Sequence, residues 1–384
     1  MKELVVSQTP FQLLSAICYA AEDIAGMETR DIVILDAYSG AKEQSERIKG
    51  TGLFCNVLLA GLPEGGMGRE TISTVINRGK MDYIDNCLRK YGVNLIRESY
   101  DRLVFASATP LAHDLRRFCL KADGTATLID DGLGSHTATI YTYLSILDRV
   151  VQIDNPTFNS INYKLKDKIK VMINIITSNK YKFGINSIRL FRPTREEIGR
   201  YKQEVQVDEL LISEEAKCAV KEVFPTESLP AYRCCEAVYF TFPGDVGEDV
   251  LSIERSVLDI ISCIVPNLIV RLHPRRVMEK HLLKCSVQID DGRVAWEPAV
   301  ASGIIREETV LFGFGSTAQL SPNLLFGSEQ PIVVLSELLP DACEIKKTSR
   351  IILSDAIARY GHSEKIYRPR SFDELRAVCK LLFK

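Results

Sequence analysis

Three short stretches carry residue types that could do chemistry together. In Asn267 to Arg276, NLIVRLHPRR, an apolar run leads into His273 and Pro274, with Arg271, Arg275 and Arg276 around them. Leu268-Ile269-Val270 reads as a buried parallel strand, and proline cannot continue a central strand, so the chain turns and leaves imidazole and guanidinium groups at the sheet edge. Open α/β sheets bind ligands at that edge, which predicts an anion site with a titratable donor. A histidine in a core or a cap would read the same way. A second stretch, from Thr125, ends a strand pattern on Asp130-Asp131, followed by Gly132 and Gly134. Adjacent carboxylates there can accept a proton, and glycines let the backbone turn sharply; a capping turn uses the same residues. The third runs from Thr309 into Gly313-Phe314-Gly315-Ser316-Thr317. Glycines admit close backbone approach, and hydroxyls at a helix start aim donors at an anion, so this is a phosphate cradle in outline. It lacks the lysine and spacing of a Walker loop, and plain helix capping is the alternative.

The elements around these stretches alternate. Glu3 to Ser7 reads as a strand, and Thr9-Pro10 as the N-cap and first position of a helix to about Ala25. Strands over 31–36, 54–59, 101–107 and 125–129, with helices over 71–91 and 110–121, predict a parallel, doubly wound sheet. A second such pattern starts at Glu236, with a helix to about Val265, strands over 268–270, 285–289, 309–312 and 331–335, and an extended piece ending at Glu297-Pro298. A capping box at Ser371 to Glu374 opens the last helix. Between the two patterns, residues 164–200 carry ten basic side chains against Asp167, Glu196 and Glu197. That segment reads as a linker, or as a basic amphipathic element for a subunit contact or an anionic membrane surface.

Composition bounds the rest. A chain of 384 residues, 46% hydrophobic and 26% charged, is globular and long enough for two domains. A formal net charge of −2 gives no overall reason to expect nucleic acid. Eleven cysteines, an odd number without a CxxC pair, point to reduced thiols in a cytosolic compartment. No window reaches the length of a membrane-spanning helix, and the opening apolar stretch is too short for a signal peptide. A soluble or peripherally bound protein is expected.

Asp130-Asp131-Gly132, His273-Pro274 and Ser316-Thr317 resemble, in order and type, the acidic-acidic-Gly, His-Pro and Ser-Ser/Thr motifs of bacterial sialyltransferases and polysialyltransferases of GT-B fold. VSQTPFQLL, from Val6, is similar to the amino-terminal strand and loop of the lipooligosaccharide sialyltransferases of glycosyltransferase family 52. The likeness runs from Leu4 to about Asn323, with nothing familiar over 155–235. It implies two doubly wound Rossmann-like domains facing across a cleft: an acceptor-side domain over 1–155 with the catalytic base, a basic linker or dimer or membrane segment over 156–235, a CMP-sugar donor domain over 236–370, and a final helix over 371–384.

The implied activity is inverting transfer of sialic acid from CMP-sialic acid to a hydroxyl of a cell-surface glycan, lipooligosaccharide or capsule, with no metal or other cofactor. Asp130 or Asp131 would be the base, with Asp249 as a rival in an acidic loop that also resembles a family 52 loop. His273 would donate to the departing phosphate as acid or electrostatic stabiliser, and Ser316 and Thr317 would hold that phosphate through hydroxyls and backbone N–H groups. Arg271, Pro274, Glu297 and Gly315 complete the donor-binding expectation, and Gln8, Thr9 and His136 are candidates for the acceptor side. The expected partners are a nucleotide sugar and a glycan, with a homodimer and peripheral contact at the inner face of the bacterial membrane as further readings. The alternatives are the same architecture with another nucleotide sugar, and a silent nucleotide-sugar or glycan-binding protein.

Overall fold

The computed structural model describes residues 1–22, 28–61, 99–106, 112, 115–116, 119–132, 185–199, 205–225, 229, 232–242, 246–273, 276, 287–292 and 294–384. The chain divides into two compact units, Met1–Val223 and Phe224–Lys384.

In the first unit the order is β1 (Lys2–Ser7), α1 (Pro10–Ala21), β2 (Thr29–Leu35), α2 (Ala41–Gly50), β3 (Asn56–Ala60), β4 (Tyr100–Phe105), β5 (Leu120–Ile129), β6 (Ser187–Leu190), α3 (Arg195–Gly199), β7 (Gln206–Glu209) and α4 (Glu214–Val223). The strands lie in the order β3-β2-β1-β4-β5-β6-β7, and every pairing is parallel. Leu4, Val6, Val33, Leu35, Leu103, Phe105, Ala126 and Leu128 alternate onto one face and share a core. Val5, Ile32, Ile34 and Val104, on the opposite face, are equally buried. Burial on both faces is why these strands read as apolar runs.

The second unit contains β8 (Ala237–Phe240), α5 (Glu248–Ile264), β9 (Leu268–Arg271), β10 (Gln288–Asp290), α6 (Trp296–Ala301), β11 (Val310–Gly313), α7 (Thr317–Phe326), β12 (Ile332–Val334), α8 (Glu344–Arg359), β13 (Ile366–Tyr367) and α9 (Phe372–Leu382). Its parallel sheet runs β10-β9-β8-β11-β12-β13. Both sheets therefore reverse direction next to their first strand, between β1 and β4 and between β8 and β11, and a doubly wound sheet opens a ligand crevice at such a point.

Two sequence expectations need correction here. The stretch 156–235, read as a linker, holds β6 and β7, which extend the first sheet, and the division between units falls after Val223. The basic run hid β6 because its charge is met locally: Arg189 pairs with Glu22 at 3.4 Å and with Asp208 at 3.7 Å. Residues 164–184 and Arg200, the bulk of the proposed membrane or dimer segment, lie outside the described residues. The piece ending at Glu297-Pro298 is not extended but forms the first turn of α6. A proline in a first turn gives up an N–H that has no intrahelical partner there.

Candidate functional site

The first unit gathers its candidates where β1 and β5 end. Thr9 is the N-cap of α1, and its Oγ1 accepts the Gln12 N–H at 3.2 Å. That bond uses Thr9 as a helix cap. Gln8 is buried, and its N–H donates to Gln12 Oε1 at 2.9 Å. Asp130 and Asp131, adjacent in sequence, part company. Asp130 is 0% exposed; its Oδ1 accepts the Gly132 N–H at 2.8 Å and its Oδ2 the Phe191 N–H at 2.9 Å. Both oxygens hold backbone, which makes Asp130 the staple of the turn. Gly132 has φ 89°, a left-handed conformation that suits glycine, and the Phe11 ring lies 3.7 Å from where its Cβ would be.

Asp131 is only partly buried, and its Oδ1 accepts from Gln12 Nε2 at 2.7 Å. Burial pushes its carboxyl up to about 7, with Gln12 opposing that rise and Asp130 adding to it. A carboxyl group that titrates near neutrality is well matched to taking a proton in the middle of the pH range. Gln12 lies inside the VSQTPFQLL stretch but was not singled out within it; its signal was the helix start itself, which places the fourth residue after Gln8 back over the turn.

In the second unit the candidates sit at the ends of β8, β9 and β11. His273 follows β9 by two residues, half-buried, with its N–H donating to Thr241 Oγ1 at 2.9 Å and its carbonyl accepting the Arg276 N–H at 2.8 Å. Thr241, just past β8, thus ties His273 to the strand beside the direction change. Ser316 is the N-cap of α7, its Oγ accepting the Gln319 N–H at 3.3 Å. Ser316 and Thr317 are exposed. The amides of Thr317 and Ala318 are the orphan donors of a helix start, with the positive end of the helix dipole behind them. Gly315 has φ 83°, and a Cβ there would stand 2.1 Å from Ser349 Oγ. The buried Gln319 braces this loop: it accepts the Gly315 N–H at 3.0 Å and donates to the carbonyls of Leu311 and Val333, each at 2.9 Å. Gln319 also accounts for Gly313, whose Cβ would lie 2.9 Å from Gln319 Oε1.

Two of the residues expected on the donor side, Arg271 and Glu297, have partners inside the second unit. Arg271 is 6% exposed and points into the second unit, where it pairs with Asp290, donates to the Val294 carbonyl at 2.6 Å and lies 5.4 Å over the Trp296 ring. Its charge is met inside the unit by Asp290. Arg276 likewise pairs with Glu254, a carboxylate that also accepts the Phe242 N–H at 2.9 Å. Glu297, in the first turn of α6, is half-buried; burial pushes its carboxyl up, and the Arg271 charge opposes that rise. Asp249 is an exposed residue in the first turn of α5, where the helix dipole favours a carboxylate. His136 and Pro274 lie outside the described residues.

No protein-family model and no curated protein matches the chain. Solved structures do. The UGT2 of Phytolacca americana, complexed with UDP-2fluoro-glucose and pterostilbene, superposes over 100% of this chain and 90% of its own, at 10% identity and TM-score 0.53. LpCGTa in complex with UDP superposes over 100% of this chain and 91% of its own, at 11% identity and TM-score 0.51. The likeness is one of fold. Both units are Rossmann-like parallel α/β domains, and the architecture is that of GT-B glycosyltransferases. Among the described residues, no helix is long and apolar enough to cross a membrane.

Proposed function

We propose that the chain is a glycosyltransferase that moves a sugar from a nucleotide-sugar donor to a hydroxyl of a glycan. The observation that carries this reading is Asp131: a carboxyl group at the end of β5, held by Gln12 and raised to about 7, in a GT-B architecture. In the proposed step Asp131 takes the proton of the acceptor hydroxyl as that oxygen bonds the anomeric carbon. The carbon–oxygen bond to the donor phosphate breaks, and the phosphate leaves with its electron pair. Single displacement inverts the anomeric centre. The Ser316 and Thr317 hydroxyls and the orphan amides at the start of α7 would take up the charge on the leaving phosphate, with His273 as acid or electrostatic stabiliser. No metal is assigned a part, so EDTA should leave turnover unchanged.

The order of the Asp130-Asp131-Gly132, His273-Pro274 and Ser316-Thr317 motifs favours CMP-sialic acid as the donor. A second reading, an uncharged hexose on a UDP or related nucleotide, is favoured by the side chains themselves. Sialic acid brings a carboxylate at the anomeric carbon, and among the described residues Arg271 and Arg276, on either side of His273 in sequence, are paired with Asp290 and Glu254. Two GT-B structures of like fold hold UDP or a UDP-sugar.

Nucleotide release from CMP-sialic acid and from a set of UDP-hexoses, with and without galactose-terminated acceptors, tests both readings. Acceptor-stimulated release of CMP supports the sialyl donor, and of UDP the hexose. No release from any donor, or full activity in Asp131→Asn, rejects the proposal.

A further inference from the structure

Gln12, 3% exposed, bridges the turn after β1 and the end of β5. Its two ends make different bonds: Oε1 accepts the Gln8 N–H at 2.9 Å, and Nε2 donates to Asp131 Oδ1 at 2.7 Å. Each bond fixes the sense of the other. A backbone N–H can only donate, so the oxygen end of the amide faces Gln8 and the NH2 end is left for Asp131. Flipping the amide would set two donors against each other at Gln8 and oxygen against carboxylate at Asp131. The anchor points are also rigid. Ser7, the residue before Gln8, is paired in β1 with Ile34 of β2, and Thr9 caps the helix that carries Gln12.

We propose that Gln12 is a positioning residue for the base: it holds Asp131 in one orientation and supplies a donor that the ionised carboxylate uses better than the protonated one. This rests on the reading of Asp131 as the base. A donor aimed at a carboxylate favours its charged form, whereas burial disfavours it. The Asp130 charge acts on Asp131 as well, and it too disfavours ionisation. Gln12 is therefore a counterweight to both, and its removal weakens what opposes them.

The test uses the full chain with Gln12→Leu, which removes the donor, and Gln12→Glu, which keeps an acceptor for the Gln8 N–H but turns a second carboxylate toward Asp131. Two readouts are followed. One is the titration of the Asp131 carboxyl carbon by NMR, assigned by its loss in Asp131→Asn. The other is the pH profile of kcat/KM. Gln12→Leu should move both midpoints up by about one pH unit, with roughly tenfold lower kcat/KM on the acid side and little loss well above the midpoint. Gln12→Glu should move them further, because like charge adds to the lost donor. Should Gln12→Leu fail to fold, Gln12→Glu decides alone. Unmoved midpoints in an active parent chain would overturn the inference and leave the glycosyltransferase reading standing. A moved NMR midpoint in a parent chain that turns over no nucleotide sugar would keep the Gln12 to Asp131 coupling and reject the role of Asp131 as a base.

Discussion

The Asp130 carboxylate accepts the Phe191 N–H at 2.9 Å, so the turn after β5 is stitched to the residue that follows β6. With Gly132 on the other oxygen, both carboxylate oxygens face backbone donors inside the unit. In Asp130→Asn one oxygen becomes an NH2 group facing an N–H, and a buried donor loses its acceptor, which costs about 1–3 kcal/mol. Denaturant unfolding should show that loss at pH 8. The folded fraction should retain substantial turnover, because Asp130 is assigned no proton transfer.

Asp131→Asn should do the opposite on both counts. Its carboxyl titrates at about 7 in the folded chain against an ordinary 3.8, so the folded state binds the proton more tightly. The stability this contributes is complete below pH 3.8 and is lost as pH rises through 7. Asparagine removes the cost of an ionised, partly buried group while keeping an oxygen for Gln12. The variant should be more stable than the parent at pH 8, by on the order of 2–4 kcal/mol, with the gain shrinking toward pH 4. Turnover should fall by orders of magnitude. Equal unfolding midpoints at pH 8 would contradict the raised value.

These contrasts explain what the sequence could and could not disclose. Strand ends at Asp131, His273 and Ser316 were legible because an apolar run followed by glycine or proline is a local signal. The division of labour between Asp130 and Asp131 was not, since it depends on Phe191 and Gln12, which are 61 and 119 residues away. Alternation along β9 relates Arg271 to His273 but cannot say whether that face meets solvent or core. Asp290, Tyr232 and Trp296 decide it, and they converge on Arg271 only once β8, β9 and β10 have paired. Gln319 was visible only as part of a helix start, because its brace joins Gly315 to carbonyls of two different strands.

Arg271 offers a direct check of that pairing. Arg271→Met would leave Asp290, 3% exposed, as an uncompensated buried charge, and should destabilise by about 3–5 kcal/mol. The double variant with Asp290→Leu should recover much of that loss, because replacing a buried pair by apolar groups is often neutral. A raised KM for the nucleotide sugar with unchanged stability would instead place Arg271 in the donor site.

Gly315→Ala tests the start of α7. Its φ of 83° lies in the left-handed region, where a side chain costs about 1–2 kcal/mol, and the new methyl would meet Ser349 Oγ at 2.1 Å. The buried Ser349 hydroxyl, without a hydrogen-bond partner among the described residues, cannot yield without moving α8 or its own rotamer. Relief should come at the cost of the loop, shifting the Ser316 cap and the orphan amides of Thr317 and Ala318. Gly315→Ala should therefore weaken nucleotide binding by roughly tenfold or more in titration calorimetry, which about 1.4 kcal/mol suffices to produce. Ser349→Ala should be neutral or mildly stabilising, since it deletes an unpartnered hydroxyl. Combined with Gly315→Ala, it should recover part of the steric loss, since the position-349 Cβ would still stand 3.0 Å from the new methyl, but not the part due to φ. Unaltered nucleotide affinity in folded Gly315→Ala would detach this loop from the donor site.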